Sequence, residues 1–228
     1  MYCTSTQLKL LSEQELISYE RQGNLKLPRP YRDFMKTYGD GTYSGVICIN
    51  LPDFHILNNY SQYDFWQYET APITQEQIEE CVVIGNSIDG DYIAIHRTLN
   101  GYILLPRHSD MIEFFPYSNE PFLSTICKIG YALYDEALDN YFEPTGAKHL
   151  FLKYYQHNLH GLSKRFKAAF QYDYLIENEY ICKVFLYRMG GYVRFNYTYS
   201  TEVTIFYNEY GFEYYQEIKK YLNENGCK

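Results

Sequence analysis

Leu27-Pro28-Arg29-Pro30-Tyr31-Arg32-Asp33-Phe34-Met35-Lys36-Thr37-Tyr38-Gly39-Asp40-Gly41-Thr42-Tyr43-Ser44-Gly45 is the stretch from which the fold is read. Proline suits the first turn of a helix, because the N–H it lacks would find no partner there. Tyr31, Phe34, Met35 and Tyr38 follow at i, i+3, i+4 and i+7, so one face of that helix is apolar. Gly39-Asp40-Gly41 stops it. Residues 45–49, Gly-Val-Ile-Cys-Ile, then read as a strand. A helix that gives way directly to an apolar strand is the start of a mixed fold.

Upstream, Ser12-Glu13-Gln14-Glu15 has the form of a capping box, and it predicts a short helix ending near Gly23. Downstream, residues 52–71 are rich in Asn and aromatics and read as a loop with a short helix around Trp66. Residues 81–84 form a continuous apolar strand. Asp89-Gly90 is a turn, and residues 92–96 are the next strand. Asn100-Gly101 predicts a hairpin turn of positive φ, with the chain returning over residues 102–105. Residues 111–115 add a strand and residues 122–138 a helix. The expected class is α+β, a central antiparallel sheet flanked by helices.

The remainder predicts a C-terminal α+β extension. Residues 149–171 have helical texture broken at Gly161. Residues 180–187, 192–199 and 202–207 read as strands, with Gly190-Gly191 marking a hairpin. Residues 212–223 read as a closing helix with Gly226 beyond its end. Glu143-Pro144-Thr145-Gly146 is the linker candidate. The expected division is therefore residues 1–140 as one domain and residues 141–228 as a Tyr-rich helical and three-stranded extension.

Composition narrows the function. Of 228 residues 19% are aromatic, and 28 are tyrosine, which suits both phenol-bonded cores and contact surfaces. The net charge of −8 is uneven: through Gly130 there are 9 Lys+Arg and 16 Asp+Glu, and from Tyr131 there are 11 and 12. An acidic first half argues against nucleic acid, which demands clustered cations, and suits a basic protein partner. The six cysteines have neither zinc-ligand nor disulfide-scaffold spacing, and free thiols in a reducing cytosol are expected. The N-terminal residues lack the pattern of a signal peptide, and no stretch approaches a membrane span, so a cytoplasmic protein is expected.

In its order of features the chain resembles the SUKH superfamily, the SMI/KNR-type domain. The resemblance is carried by LPRPYRDFMKTYGDGTYSG, VVIGNSIDGDYIAI, GYILLPRHSDMIEFF and FPYSNEPFLSTIC, and it spans roughly residues 10 to 135. It implies a compact α+β fold around a central antiparallel sheet. It also implies a binding role without catalysis. Most bacterial members look like immunity proteins that neutralise a cognate toxin, often a nuclease, in polymorphic or contact-dependent systems. Fungal relatives act as regulatory scaffolds.

Motifs with possible chemistry have plainer readings. Asp89-Gly90-Asp91 lacks the further acids and the terminal Glu of a calcium loop, and reads as a turn. Arg107-His108-Ser109-Asp110 holds an acid and a histidine but no nucleophile. His157 and His160, at i, i+3, share a helix face with no further ligand nearby, and with His149 read as helix histidines. Residues 192–199 alternate, with Val193, Phe195, Tyr197 and Tyr199 on one face, as in a strand over a core. No nucleotide-binding, hydrolase or zinc-protease motif occurs. No catalytic residue, metal or cofactor is expected.

The expected function is that of an immunity protein which occludes the active or substrate site of a cognate toxin bearing a basic surface. The alternatives are a regulatory scaffold for an endogenous protein and an RNA-binding protein using the Tyr-rich half. Candidate contact residues are the acids and aromatics at the Gly-rich turn and the loop after it: Asp40, Asp53, Asp64, Trp66, Tyr68 and Glu69.

Overall fold

A computed structural model describes every residue except Ser61 and His157. The chain divides into two compact units, Leu8–Leu138 and Met1–Gln7 with Asp139–Lys228. The chain opens in the second of these with a two-residue strand, β1 (Tyr2–Cys3).

Within Leu8–Leu138, two helices precede the sheet: α1 (Glu13–Gly23) and α2 (Arg29–Thr37). The capping box is formed as expected. The Glu15 N–H donates to Ser12 Oγ at 3.3 Å, and the Ser12 N–H donates to Glu15 Oε2 at 2.8 Å. Glu20, buried on α1, ties the two helices together. It accepts from Lys26 at 3.0 Å, from Arg32 at 2.6 Å and from the Leu27 N–H at 3.1 Å. Burial alone would raise its pKa, but these three donors outweigh burial and hold it below the ordinary value.

Six strands follow: β2 (Gly41–Tyr43), β3 (Ile47–Asp53), β4 (Val82–Ser87), β5 (Tyr92–Ile95), β6 (Gly101–Leu105) and β7 (Glu113–Pro116). Each pairs antiparallel with the next, a meander in chain order. Helix α3 (Phe122–Tyr134) closes the unit. Side chains alternate across the sheet, so strands β4 to β6 serve two cores. On one side Phe122 of α3 meets Tyr31 and Phe34 of α2 and Tyr102 of β6, with ring centroids 5.3–5.6 Å apart. On the other side Val83, Ala94, Ile103 and Leu105 pack against Leu57, Trp66, Ile73 and Ile78 of the segment between β3 and β4. That long segment is therefore the second cover of the sheet.

Three local expectations fail here. No helix forms around Trp66, which instead sits in the left-handed region at φ 61°; the helical turn of this segment is a 3-10 turn, Gln75–Glu80. The turn between β5 and β6 lies upstream of Asn100-Gly101, closed by the Leu99 N–H on the His96 carbonyl at 3.2 Å, and neither Asn100 nor Gly101 has positive φ. Gly101 is required for close approach instead: a Cβ there would lie 2.7 Å from the Phe115 carbonyl oxygen and 2.4 Å from the Phe114 ring. Helix α3 ends at Tyr134, with Asp135 as its left-handed cap.

In the other unit β1 pairs in parallel with β8 (Tyr141–Pro144), so Glu143 and Pro144 of the linker candidate are strand residues. The sheet has five antiparallel strands: β9 (Lys148–Lys153), β10 (Tyr174–Glu177), β11 (Ile181–Leu186), β12 (Gly191–Asn196) and β13 (Glu202–Tyr207). Their order is β10-β11-β12-β13-β9. Helices α4 (Leu159–Ala169) and α5 (Phe212–Glu224) bring Leu162, Phe166, Ile218 and Leu222 into one core with Val184, Val193, Phe195 and Ile205. On the opposite face Tyr174, Phe185, Tyr192, Phe206 and His149 stand directly across from one another, a row spanning all five strands. The sheet thus has aromatic residues on both faces, not on one.

His149 is a strand residue, so the three histidines do not share a helical stretch; His157 lies outside the described residues. His160, on α4, stacks on the Tyr197 ring at 3.7 Å. Gly161 does not break α4: its N–H is the one that Asn158, the N-cap, accepts at 2.7 Å. Tyr199 lies past the end of β12 and is exposed. All six cysteines are free, and Cys127 is exposed.

Candidate partner-binding surface

The segment between β3 and β4 begins at Asp53, whose Oδ1 accepts the N–H groups of His55 at 2.8 Å and Ile56 at 2.9 Å. This local turn lifts the chain off the end of β3 and starts the cover. Leu57 and Ile73 then anchor it from below, leaving Asn59, Gln62, Asp64, Gln67, Glu69 and Thr70 outside. Trp66 is its central wedge. It is only 5% exposed, and its indole N–H donates to the Pro106 carbonyl at 2.7 Å. A bulky residue at φ 61° is strained, and it holds only because packing and this bond determine it.

The six candidate contact residues fall into distinct places. Asp64 and Glu69 are exposed, and with half-buried Tyr68 they line one shallow depression. The Tyr68 hydroxyl donates to the Ile112 carbonyl at 3.2 Å, fixing the depression against the start of β7. Asp53 is a turn cap, and Asp40 is half-buried at the entry to β2; neither lines that depression. Trp66 is a core side chain rather than a projecting anchor.

Aromatic residues that sequence reasoning passed over surround the wedge. Tyr60 and Phe65 lie 5.7 and 6.0 Å from the Trp66 ring, and Tyr63 lies 5.7 Å from Phe65. Tyr63 and Phe65 are 59% and 48% exposed. The Tyr60 and Tyr92 hydroxyls are 3.3 Å apart, and burial, reinforced by this bond, pushes Tyr92 up to about 12. Tyr60, Phe65, Trp66 and Tyr92 form one wall of a cavity of about 610 Å³ whose other wall is Pro106 to Asp110. The signal was the density of rings between Tyr60 and Tyr68, read above only as loop composition.

Charge is the second property of this surface. Leu8–Leu138 carries 9 Lys+Arg and 18 Asp+Glu, whereas the other unit carries 11 and 10. The whole imbalance lies in residues 37–96, which hold nine acids and not one Lys or Arg. Some of these acids are structural. Asp91 is buried, accepts from Ser87 Oγ, and accepts the Arg107 N–H at 2.9 Å. Asp89 accepts from the Tyr134 hydroxyl at 3.1 Å. Asp89-Gly90-Asp91 is thus a locked turn, with Gly90 at φ 98° under the Arg107 side chain. His108, Ser109 and Asp110 are exposed at the strand connection. Among the described residues no group of three or more His, Cys, Asp or Glu is arranged to hold a metal ion.

A helix pair, a six-stranded meander and a closing helix, with the locked Asp-Gly-Asp turn between β4 and β5, occupy Leu8–Leu138. Residues 10–122 match the model of the SMI1 / KNR4 family (SUKH-1). Those residues are a SUKH-1 domain. No curated protein and no solved structure matches the chain. The SUKH-1 match takes in α1, α2, the whole sheet and the cover segment, so the acidic aromatic surface lies inside the family domain. No helix among the described residues is long and apolar enough to cross a membrane.

Proposed function

We propose that this chain is an immunity protein, which binds a cognate toxin without catalysis and blocks its active or substrate site. The SUKH family is known for toxin immunity proteins. The observation that carries the proposal for this chain is the base-free stretch of nine acids, much of it on a cover segment with exposed aromatic rings. Exposed aromatics supply rigid contact area, and one-signed charge draws in an oppositely charged partner. Asp64, Tyr68 and Glu69 stand at the centre of that contact, with Asp40 and Asp53 at its margins, and Trp66 holds its shape from beneath. A specific interface of about 1,600 Å² in total is within reach of a domain this size. Residues 141–228 fold as an extension with its own core, outside the family match. The partner's surface is basic, as the substrate groove of a nuclease is.

Co-expression with the product of the adjacent gene tests this. The neighbour is expected to be toxic alone, harmless with this chain, and recovered bound to it after purification. A non-toxic neighbour, or a toxic one that neither binds the chain nor is relieved by it, would sink the proposal.

A further inference from the structure

Resting on that toxin-binding proposal, we propose that the cavity beside Trp66 is a receptor for a single arginine side chain of the basic partner. Four rings face it: Tyr60, Phe65, Trp66 and Tyr92. Their centroids stand 5.7–6.1 Å apart where they pair, so the wall is a continuous aromatic surface rather than isolated rings. The rings are inclined at 32–73° to one another, so the wall offers both ring faces and ring edges, and a guanidinium stacks on a ring face with little loss of hydration.

The opposite wall supplies the counter-charge. Asp110 lines the cavity and is exposed. Among the described residues the Lys or Arg lining the cavity is Arg107, and part of its guanidinium is engaged. Its Nη1 donates to the Asp89 carbonyl at 3.1 Å, and its side chain covers Gly90. Arg107 therefore braces the wall and leaves the Asp110 carboxylate for an incoming group. The volume, about 610 Å³, admits an extended side chain together with its neighbouring backbone. The strained Trp66 backbone has a use here, because it holds the indole at the cavity wall while the N–H is spent on Pro106. Arginine is favoured over lysine because a planar guanidinium can stack on a ring and pair with a carboxylate at once, whereas an ammonium is a strongly hydrated point charge.

Trp66 is the only tryptophan, so its emission reports on the cavity directly. The purified chain is titrated with capped penta-arginine, penta-lysine and penta-citrulline peptides. Penta-arginine should give a saturable change in Trp66 emission, penta-lysine a response at least about fivefold weaker in affinity, and the uncharged citrulline peptide none. Phe65→Ala and Asp110→Asn, both at exposed positions, should each weaken penta-arginine about tenfold. Should Phe65→Ala disturb folding, as judged by circular dichroism, Asp110→Asn alone decides. An unchanged emission, equal binding of arginine and lysine peptides, or full affinity in Asp110→Asn would overturn the assignment, since each leaves only diffuse attraction to an acidic surface. The two proposals fail separately. Loss of peptide binding with toxin protection intact removes the arginine receptor alone. Specific peptide binding with no toxic neighbour removes the immunity proposal and leaves the receptor.

Discussion

Converting Asp64, Glu69 and Glu76 to Asn, Gln and Gln should slow capture of the toxin about tenfold without changing its release. All three are exposed, and among the described residues the only hydrogen bond to them shown is the Thr74 hydroxyl on Glu76 at 3.2 Å. The fold should therefore hold, with stability within about 0.5 kcal/mol. The magnitude follows from the charge distribution. Electrostatic steering separates association rates of about 10⁵–10⁶ M⁻¹s⁻¹ from about 10⁸–10⁹ M⁻¹s⁻¹, some three decades. Nine acids with no opposing base in residues 37–96 generate that field. Shared evenly, each contributes about a third of a decade, and three contribute about one. The field extends only about 10 Å at 0.1 M salt, so the effect should shrink as salt rises. Association and dissociation rates are measured on immobilised toxin, taken from the co-expression experiment, at low and high salt. An association rate within about twofold of the unmodified chain at low salt, or a salt dependence left unaltered, would refute the steering argument.

Three further outcomes concern stability. Tyr197→Phe should cost only about 1–2 kcal/mol in urea unfolding: the lost hydroxyl bonds Ser163 at 2.7 Å and Glu177 at 3.0 Å, yet Ser163 can turn to the His160 carbonyl at 3.0 Å and Glu177 keeps Lys167 at 2.5 Å. A cost near that of an orphaned buried donor would show that Ser163 does not turn. Glu20→Gln should cost about 1–3 kcal/mol at neutral pH. Because the folded pKa of Glu20 lies below its unfolded one, its contribution is full above about pH 4.3 and is lost as pH falls through the folded value. The gap between variant and parent should therefore narrow as pH falls below about 4.3, and a constant gap in urea midpoints would contradict this. Gly101→Ala should cost about 1–3 kcal/mol, because the Phe114 ring can swing away but the Phe115 carbonyl cannot; an unchanged thermal midpoint would show that β7 yields.

What the sequence discloses depends on how local the cause is. Ser12 and Glu15 lie within one turn of each other, and the apolar face of α2 within three, so both helices were legible to within a residue or two. The meander was legible because each strand pairs with its neighbour in the chain. Strand β9 was not. Residues 148–153 pair with β13, some fifty residues onward, and nothing nearby distinguishes them from a helix. Asn100-Gly101 misled because two causes favour glycine at that point, and close packing on β7 was the one at work. The surface divided in the same way. Its acids and rings were visible as composition, but which ring is the wedge and which are exposed depends on the sheet beneath. Trp66, the most conspicuous residue of the segment, turned out to face inward while Tyr63 and Phe65 face out.

The absence of lysine and arginine between Lys36 and Arg97 also governs how this surface can be observed. Amine-reactive dyes, biotinylation reagents and lysine cross-linkers find nothing to modify there, so a chain tethered through its amines presents this face unaltered. Trypsin leaves the same stretch as one long peptide, from Thr37 to Arg97, and a footprint taken with either tool would report silence over the proposed contact. Carboxyl-directed or glutamyl-specific reagents are the ones to which this surface is visible.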